Sequence, residues 1–504
     1  MAGFSFNVNV WGDKKKAKAV GRESGRNGSM RSAAAASAYR PDDWRRDRVK
    51  AVRYDALTLY DLRNHWLWAD SKSIDASLDH DTRRGLRERA RYEIANNSYA
   101  MGVALAIANA VVGTGPRLQA FVDDRDLEKD VEWTFDDWAE EIHLAEKLRA
   151  MRFARFQDGE AFAILYTNLD LKNPVKLDIM PIDAERVVGE IGKEKENNVD
   201  GIQLNKYGVP VSYRVLTRHP GDSFGLDLRN EDARVYNASD VIHWYRRTLP
   251  EQHRGAPEIA ASLNLFALLR RYTLAVVTAA ETAADFAGFI QTDAANDFGG
   301  SPVWSANPFE ALNIERGMVT TLPEGWKISQ LKAEQPSVTY SDFKREILGE
   351  IGRSLQIPVN IVAGDSSRYN YASGRLDHQE FQKSIRVDQS NCSDNVMRPL
   401  FRQWWREYAL LNGLPSAVPK TFWYYDGFEH VDPIKEAKAQ STRLANMTTS
   451  LMVEYGKQGK DWENELIQIA KERRRIEELG LTLNDAQSGL MNDEEDVEDE
   501  EDGN

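Results

Sequence analysis

Residues Ala108–Gln119 read ANAVVGTGPRLQ, and the two glycines in that stretch decide between two fold classes. Read as a phosphate cradle, Gly113 and Gly115 would follow a strand and open a helix, as in doubly wound nucleotide-binding sheets. Here they follow the apolar run Tyr99–Gly113, YAMGVALAIANAVVG, and Pro116 and Arg117 stand where the motif would continue. Direction and residue types are both wrong for a phosphate. The glycines are therefore expected to cap a helix and turn the chain.

Working outward, Asp81–Val112 begins with an Asp-Thr helix start and passes from a charged to an apolar turn, which predicts helix. Leu127–Gln157 predicts a second helical stretch with Trp133, Trp138, Ile142, Leu148 and Phe153 on one broad face. After Asp158-Gly159 the pattern changes. EAFAILYT, VKLDIMPI, VPVSYRVLT and DVIHWYRR are alternating or β-branched runs separated by turn signals, so a mainly antiparallel sheet is expected. No βαβ alternation is present, and the fold class predicted is α+β, mainly helical.

Pro257 lies near the start of a long helix predicted to run to about Ile290, and Ser341–Leu355 predicts another. Between them Gln291–Gln335 is short, Gly- and Pro-punctuated and too small for a core of its own, so two helices leave and re-enter a body around a small knob. IPVNIVAGDSSRYNYASGR predicts a polar loop and Leu376–Asn412 a very long helix that Pro399 should kink or break. KTFWYYDGFEHVDP predicts one aromatic strand, and Asp432–Leu479 charged amphipathic helices. The basic Lys14–Arg53 and the acidic Asp493–Asp502, DEEDVEDEED, are expected to be disordered tails.

Composition narrows the function. With 65 Lys plus Arg against 79 Asp plus Glu, a formal charge of -14, a surface basic throughout is excluded and any grip on nucleic acid must be local. The single Cys392 excludes an internal disulfide framework and fits a reducing cytoplasm. Tyr99–Gly113 is too short to cross a bilayer. Arg270, Arg271, Glu281 and Asp285 argue against a membrane span in the long helix, and the amino terminus lacks a secretory pattern.

No zinc-protease pair, nucleophile elbow or P-loop occurs in the chain, and its eight histidines show no metal-ligand spacing. No catalytic, cofactor-binding or metal residue is assigned. His243 is read as a packed residue, and Arg83, Arg84, Arg87, Arg89 and Arg91 as a solvated face paired to acidic neighbours. Asp158, Glu160, Asp178 and Asp183 flank strands as the carboxylates of a metal nuclease would, and turn-forming, solvated carboxylates are the alternative. They leave a metal-dependent DNA-processing enzyme as the second reading.

Several stretches together resemble the lambda-type family of tailed-phage portal proteins, the head-tail connectors. They are RARYEIANNSYAMGVALAIANAVVGTGPRLQ, VIHWYRRTLPEQHRGAPEIAASL, TAAETAADFAGFIQT and IPVNIVAGDSSRYNYASGRLDHQEFQK, and the resemblance covers roughly Tyr54–Gly480. It implies a flexible basic segment (1–53), a wing of helices and antiparallel sheet (54–255), stem helices (256–290 and 339–357) around a clip (291–338), a tunnel loop (358–375), a tunnel helix with a returning wing strand (376–431), crown helices (432–482) and an acidic tail (483–504). The family's ring, typically of twelve subunits, sits at one capsid vertex, without enzymatic activity or cofactor. Double-stranded DNA enters and leaves through it, and an acidic bore would let the DNA slide. Implied partners are the terminase large subunit, major capsid and scaffold proteins, and head-completion or tail-connector proteins; no membrane is involved. The implied place is the virion, after assembly in the bacterial host cytoplasm. The resemblance places Asp365, Ser366, Ser367, Arg368, Tyr369, Asn370 and Tyr371 in a DNA-facing tunnel loop, Lys383 and Arg386 on the tunnel-helix lining, and Trp304, Asn307, Glu310 and Arg316 on the motor-docking clip.

Overall fold

Helices open the part of the chain that the computed structural model describes, which comprises residues 71–190, 196–222, 232–285, 289–292, 326–329, 339–427 and 433–480. The single helix expected over Asp81–Val112 is two, α1 (His80–Asn96) and α2 (Ser98–Val112). Asn97 separates them: its backbone is extended, its side chain accepts from Tyr99 N at 3.0 Å, and its amide donates to Glu93 at 2.9 Å and to the Phe266 carbonyl at 3.3 Å. That is an N-cap with every polar group used. Val103, Ala104, Ile107, Ala108 and Val111 then bury one face of α2 at helical spacing.

Gly113 and Gly115 do what their position after a helix predicts. Gly113 caps α2 at φ +55°, donating to the Asn109 carbonyl at 2.8 Å, and Gly115 lies at φ +118°. A Cβ on Gly113 would meet the Asp426 carboxylate at 2.1 Å, so the site tolerates no side chain. The turn delivers the chain into β1 (Arg117–Phe121), whose antiparallel partner β11 (Lys420–Tyr424) lies far along the sequence, with Gln119 opposite Phe422.

The second helical stretch also divides, into α3 (Arg125–Glu141) and α4 (Leu144–Asp158), at His143 with φ +53°. Val131, Phe135, Trp138, Ile142 and Leu148 are buried, but Trp133 is 60% exposed. Five positions place Trp133 about 140° around the helix from Trp138, so it cannot share that face.

Each of the four quoted strand runs contains a strand, but they form two sheets rather than one. β2 (Glu160–Thr167) is central between β3 (Leu177–Ile182) and β8 (Val241–Tyr245), all antiparallel. β4 (Asn198–Val199), β5 (Ile202–Leu204), β6 (Pro210–Leu216) and β7 (Ala233–Asn237) form a meander in chain order. β2 explains the division, because both its faces are buried: Ala161, Ala163 and Leu165 join the helical core, whereas Phe162 and Ile164 join a second core with Ile202, Tyr213 and Val215.

Past a 3₁₀ turn at Glu258–Ser262, α5 (Leu263–Asp285) ends before the predicted Ile290, which lies instead in β9 (Phe289–Thr292). β9 pairs antiparallel with β10 (Trp326–Ser329), Ile290 opposite Ile328, and α6 (Thr339–Leu355) comes next. Tyr272 of α5 packs on Tyr340 and Phe343 of α6 with ring centroids 5.7 and 5.0 Å apart. By length and composition alone Glu258–Glu281 could cross a membrane, yet Ile259, Leu263, Phe266 and Leu269 are in the core and Arg270 pairs with Glu93 at 3.1 Å.

α7 (Val359–Ala363) lies inside the segment expected to be loop. α8 (Tyr371–Cys392) starts five residues before the predicted Leu376, because Asn370 and Ser373 form a reciprocal capping box. Pro399 does not break the helical run after α8. A π-helical turn, Ser393–Met397, carries α8 into α9 (Arg398–Asn412), and Pro399, which has no N–H to donate, follows directly on that widened turn. Phe401, Trp404, Trp405 and Tyr408 of α9 meet Phe135, Trp138 and Trp423, and the Trp404–Tyr408 rings stack 4.8 Å apart. Buried Cys392 has its thiol pushed up to about 12 by burial, in keeping with an inert packing residue. α10 (Pro433–Ala445), α11 (Leu451–Lys457) and α12 (Trp462–Glu478) close the described chain.

Candidate functional site

Between α7 and α8 only residues 364–370 are loop. Gly364 ends α7 in a left-handed conformation, the Asp365 carboxylate accepts from Ser367 N at 2.9 Å, and Tyr369 N donates to the Ser366 carbonyl at 3.1 Å. The first of these bonds lowers the Asp365 carboxyl below the usual carboxylate range, so it is ionised at neutral pH. Asp365, Ser366, Ser367, Arg368 and Asn370 are exposed, and Tyr369 is half-buried under Arg345, whose guanidinium lies 5.5 Å from the ring centre. Tyr371, assigned to the loop from sequence, is the first residue of α8.

Arg368 is not a free cation. Its Nη1 donates to Asp342 of α6 at 2.7 Å, with both side chains more than half exposed. Loop and α6 are thus joined by one arginine from each side, Arg368 to Asp342 and Arg345 to Tyr369. Neither Asp342 nor Arg345 was legible as a site residue, since each lies over twenty positions from its partner. Lys383 and Arg386 are exposed on α8, three positions apart and therefore on one face. Lys383 is about 18 Å along the helix from Tyr371, so these cations extend the polar surface rather than join the loop. Trp304, Asn307, Glu310 and Arg316 lie outside the described residues.

Buried ion pairs tie α8 to the body. Arg152 and Arg155 of α4 donate to the two oxygens of Asp388 at 2.8 and 2.6 Å, and Arg152 also reaches Glu258, before α5, at 2.9 Å. Arg155 lies over Trp244, whose indole N–H donates to Asn391 at 2.9 Å. One cluster therefore holds α4, the 3₁₀ turn before α5, β8 and α8 in register.

The strand-flanking carboxylates are occupied, and the expected solvated face is buried at Arg83 and Arg87. Glu160 is fully buried and accepts from Arg254, Arg87, the Gly255 amide at 3.0 Å and His243 at 3.0 Å. Burial alone would raise its carboxyl, but Arg254, His243 and Arg87 outweigh that and hold it well below the usual range. Asp158 and Asp183 share Arg91, and Asp178 is bonded by Lys147, Tyr166 and Asn168. Arg83 is buried against Asp200, while Arg84, paired with Glu88, and Arg89 remain exposed as expected. Among the described residues no group of three or more His, Cys, Asp or Glu is arranged to hold a metal. His243 is packed between Phe162 and Tyr245, at 4.2 and 4.3 Å.

Comparison with known proteins matches residues 62–389 to the family described as phage portal protein, lambda family. A probable portal protein of Halomonas phage phiHAP-1 is 24% identical over 455 residues, which is 83% of this chain and 86% of that protein. Two similar solved structures are necks of gene transfer agent particles. That of the empty particle, computed with C6 symmetry, has a TM-score of 0.41 at 14% identity over 76% of this chain and 97% of the other. That of the native particle, computed with C12 symmetry, has a TM-score of 0.40 at 14% identity over 74% and 90%.

Proposed function

This chain belongs to the lambda family of phage portal proteins, and we propose that it works as a closed ring, typically of twelve copies, at one capsid vertex. Double-stranded DNA enters the head through the ring during packaging and leaves through it at ejection. The protein has a structural role and supplies no catalytic group of its own; the terminase large subunit brings the motor. In this reading the ring assembles in the bacterial cytoplasm, contacts capsid and scaffold proteins at the vertex, and remains in the virion. The alternative, a metal-dependent DNA-processing enzyme, is not favoured, because Asp158, Glu160, Asp178 and Asp183 already have cationic partners.

The observation that carries the reading is the route α5, β9, β10, α6. Two helices packed side by side lead out and back, and an antiparallel strand pair closes the excursion between them. Such an excursion can offer a docking surface to another assembly without disturbing the core. We assign Trp304, Asn307, Glu310 and Arg316 to that surface, and the 364–370 loop with Lys383 and Arg386 to the DNA-facing side.

Replacing residues 300–323 by a short Gly-Ser linker tests this directly. Rings should still form, because β9, β10 and the helices are retained, but packaging driven by the terminase should fail. Normal packaging by the shortened protein would contradict the assignment.

A further inference from the structure

A cavity of about 690 Å³ opens beside α8. One wall is apolar, from Ile107, Leu355, Ile357, Phe381 and Ile385. The polar lining comes from Tyr213, Tyr245, Arg246 and Arg247, and from Arg152 and Arg155 with the carboxylates that pair with them, Glu258 and Asp388. Arg246 and Arg247 are exposed, neither has a carboxylate partner among the described residues, and Arg247 Nε donates to the Tyr245 hydroxyl at 3.0 Å. Arg152, which also lines the cavity, is 2% exposed and its Nη1 has no hydrogen-bond partner, although its other donors reach Asp388 and Glu258. The unpaired N–H favours an added acceptor, but Asp388 and Glu258 already balance the charge of Arg152 and Arg155, so the net positive part of the cavity is Arg246 and Arg247.

The chain carries a segment of complementary chemistry. Asp493–Asp502, DEEDVEDEED, is acidic at every position but Val497, and Leu490-Met491 stands just before it. We propose that the cavity is the docking site of this chain's acidic carboxy-terminal segment, Leu490–Asp502. Leu490 and Met491 lie against the apolar wall, and the carboxylates after them meet Arg246 and Arg247 at the mouth. Leu490 is ten positions beyond Gly480, a reach of up to about 35 Å, and a second copy can supply the same segment. Seating it would bring the strongly acidic run Asp493–Asp502 against two exposed arginines that have no carboxylate partner among the described residues.

Val387 lines the cavity and is 72% exposed, which makes it a reporter outside the arginine cluster. A photo-crosslinking p-benzoylphenylalanine installed at Val387 of the full-length protein should yield crosslinked peptides from residues 481–504. Mixing isotopically light and heavy chains separates capture within one copy from capture between copies. Arg246→Glu with Arg247→Glu should lower the yield roughly fivefold or more, and 0.5 M salt should act in the same direction. In an independent arm, removing residues 481–504 should raise the maleimide labelling rate of Val387→Cys roughly threefold or more by uncovering the cavity. Crosslinks confined to other segments, a yield indifferent to charge reversal, or a labelling rate unchanged by truncation would each overturn the proposal. Ring formation and packaging do not enter either readout, so failure here leaves the portal reading untouched.

Discussion

Glu160 shows what single residues contribute. It is a fully buried carboxylate with two guanidinium partners, and removing its charge leaves buried Arg254 and Arg87 with only their second carboxylates, Asp200 at 3.4 Å and Glu185 at 3.1 Å. Glu160→Gln should therefore cost about 3–5 kcal/mol at pH 7 in chemical denaturation, and a loss under about 1 kcal/mol would contradict the network. The folded carboxyl titrates below its unfolded value, so its contribution is complete above the unfolded value of about 4.5 and disappears as pH falls through the folded one. The stability gap between wild type and Glu160→Gln should accordingly narrow from pH 7 to pH 3. Arg368 is the contrasting case, exposed and paired with exposed Asp342, where truncation changes stability by about 1 kcal/mol at most. Asp342→Asn releases the cation and should strengthen DNA retention at low salt, Arg368→Ala should weaken it, and the difference should shrink by 0.5 M salt; identical retention would remove the loop from the DNA path. Sequence could suggest that these residues carry chemistry but not with whom. Glu160 meets its partners 73, 83 and 94 positions away, and local spacing holds no trace of such pairs.

Among the elements, the π turn between α8 and α9 is the most consequential irregularity. It takes up one extra residue within a continuous helical run, and α9 beyond it turns Phe401 and Trp404 toward Phe135 and Trp138. Inserting one alanine after Gln403 would swing the residues beyond it by about 100°, so thermal denaturation should show a loss of at least about 3 kcal/mol, whereas deleting Asn395 removes the residue that the π turn absorbs and should cost less. Pro399→Ala should change stability by less than about 1 kcal/mol, because the proline follows directly on the widened turn; the reverse order of effects would assign the geometry to the proline instead. Apolar periodicity and the Gly113 turn made most helices and the strands of the first sheet readable. Periodicity hid the breaks at Asn97 and His143, since one residue in a non-helical conformation interrupts a helix without disturbing the pattern on either side. It also hid β7 and the short β4, whose exposed or half-buried residues carry little apolar signal.

For the whole molecule, fold class and family were legible because the ordered pieces span most of the chain, whereas the contacts of the 364–370 loop arise only when α6 and α8 come together. A formal charge of -14 per copy suits the proposed passage, which would repel phosphate along most of its length. Exposed Leu268, Leu274 and Val277 on α5 and Phe343 on α6 leave apolar surface that a neighbouring copy can cover. Imaging purified full-length protein at micromolar concentration, with its native mass measured in parallel, tests the central claim most directly. The account predicts closed rings of one subunit number, about twelve, around an open channel; a stable monomer, or an assembly without a central passage, would contradict it.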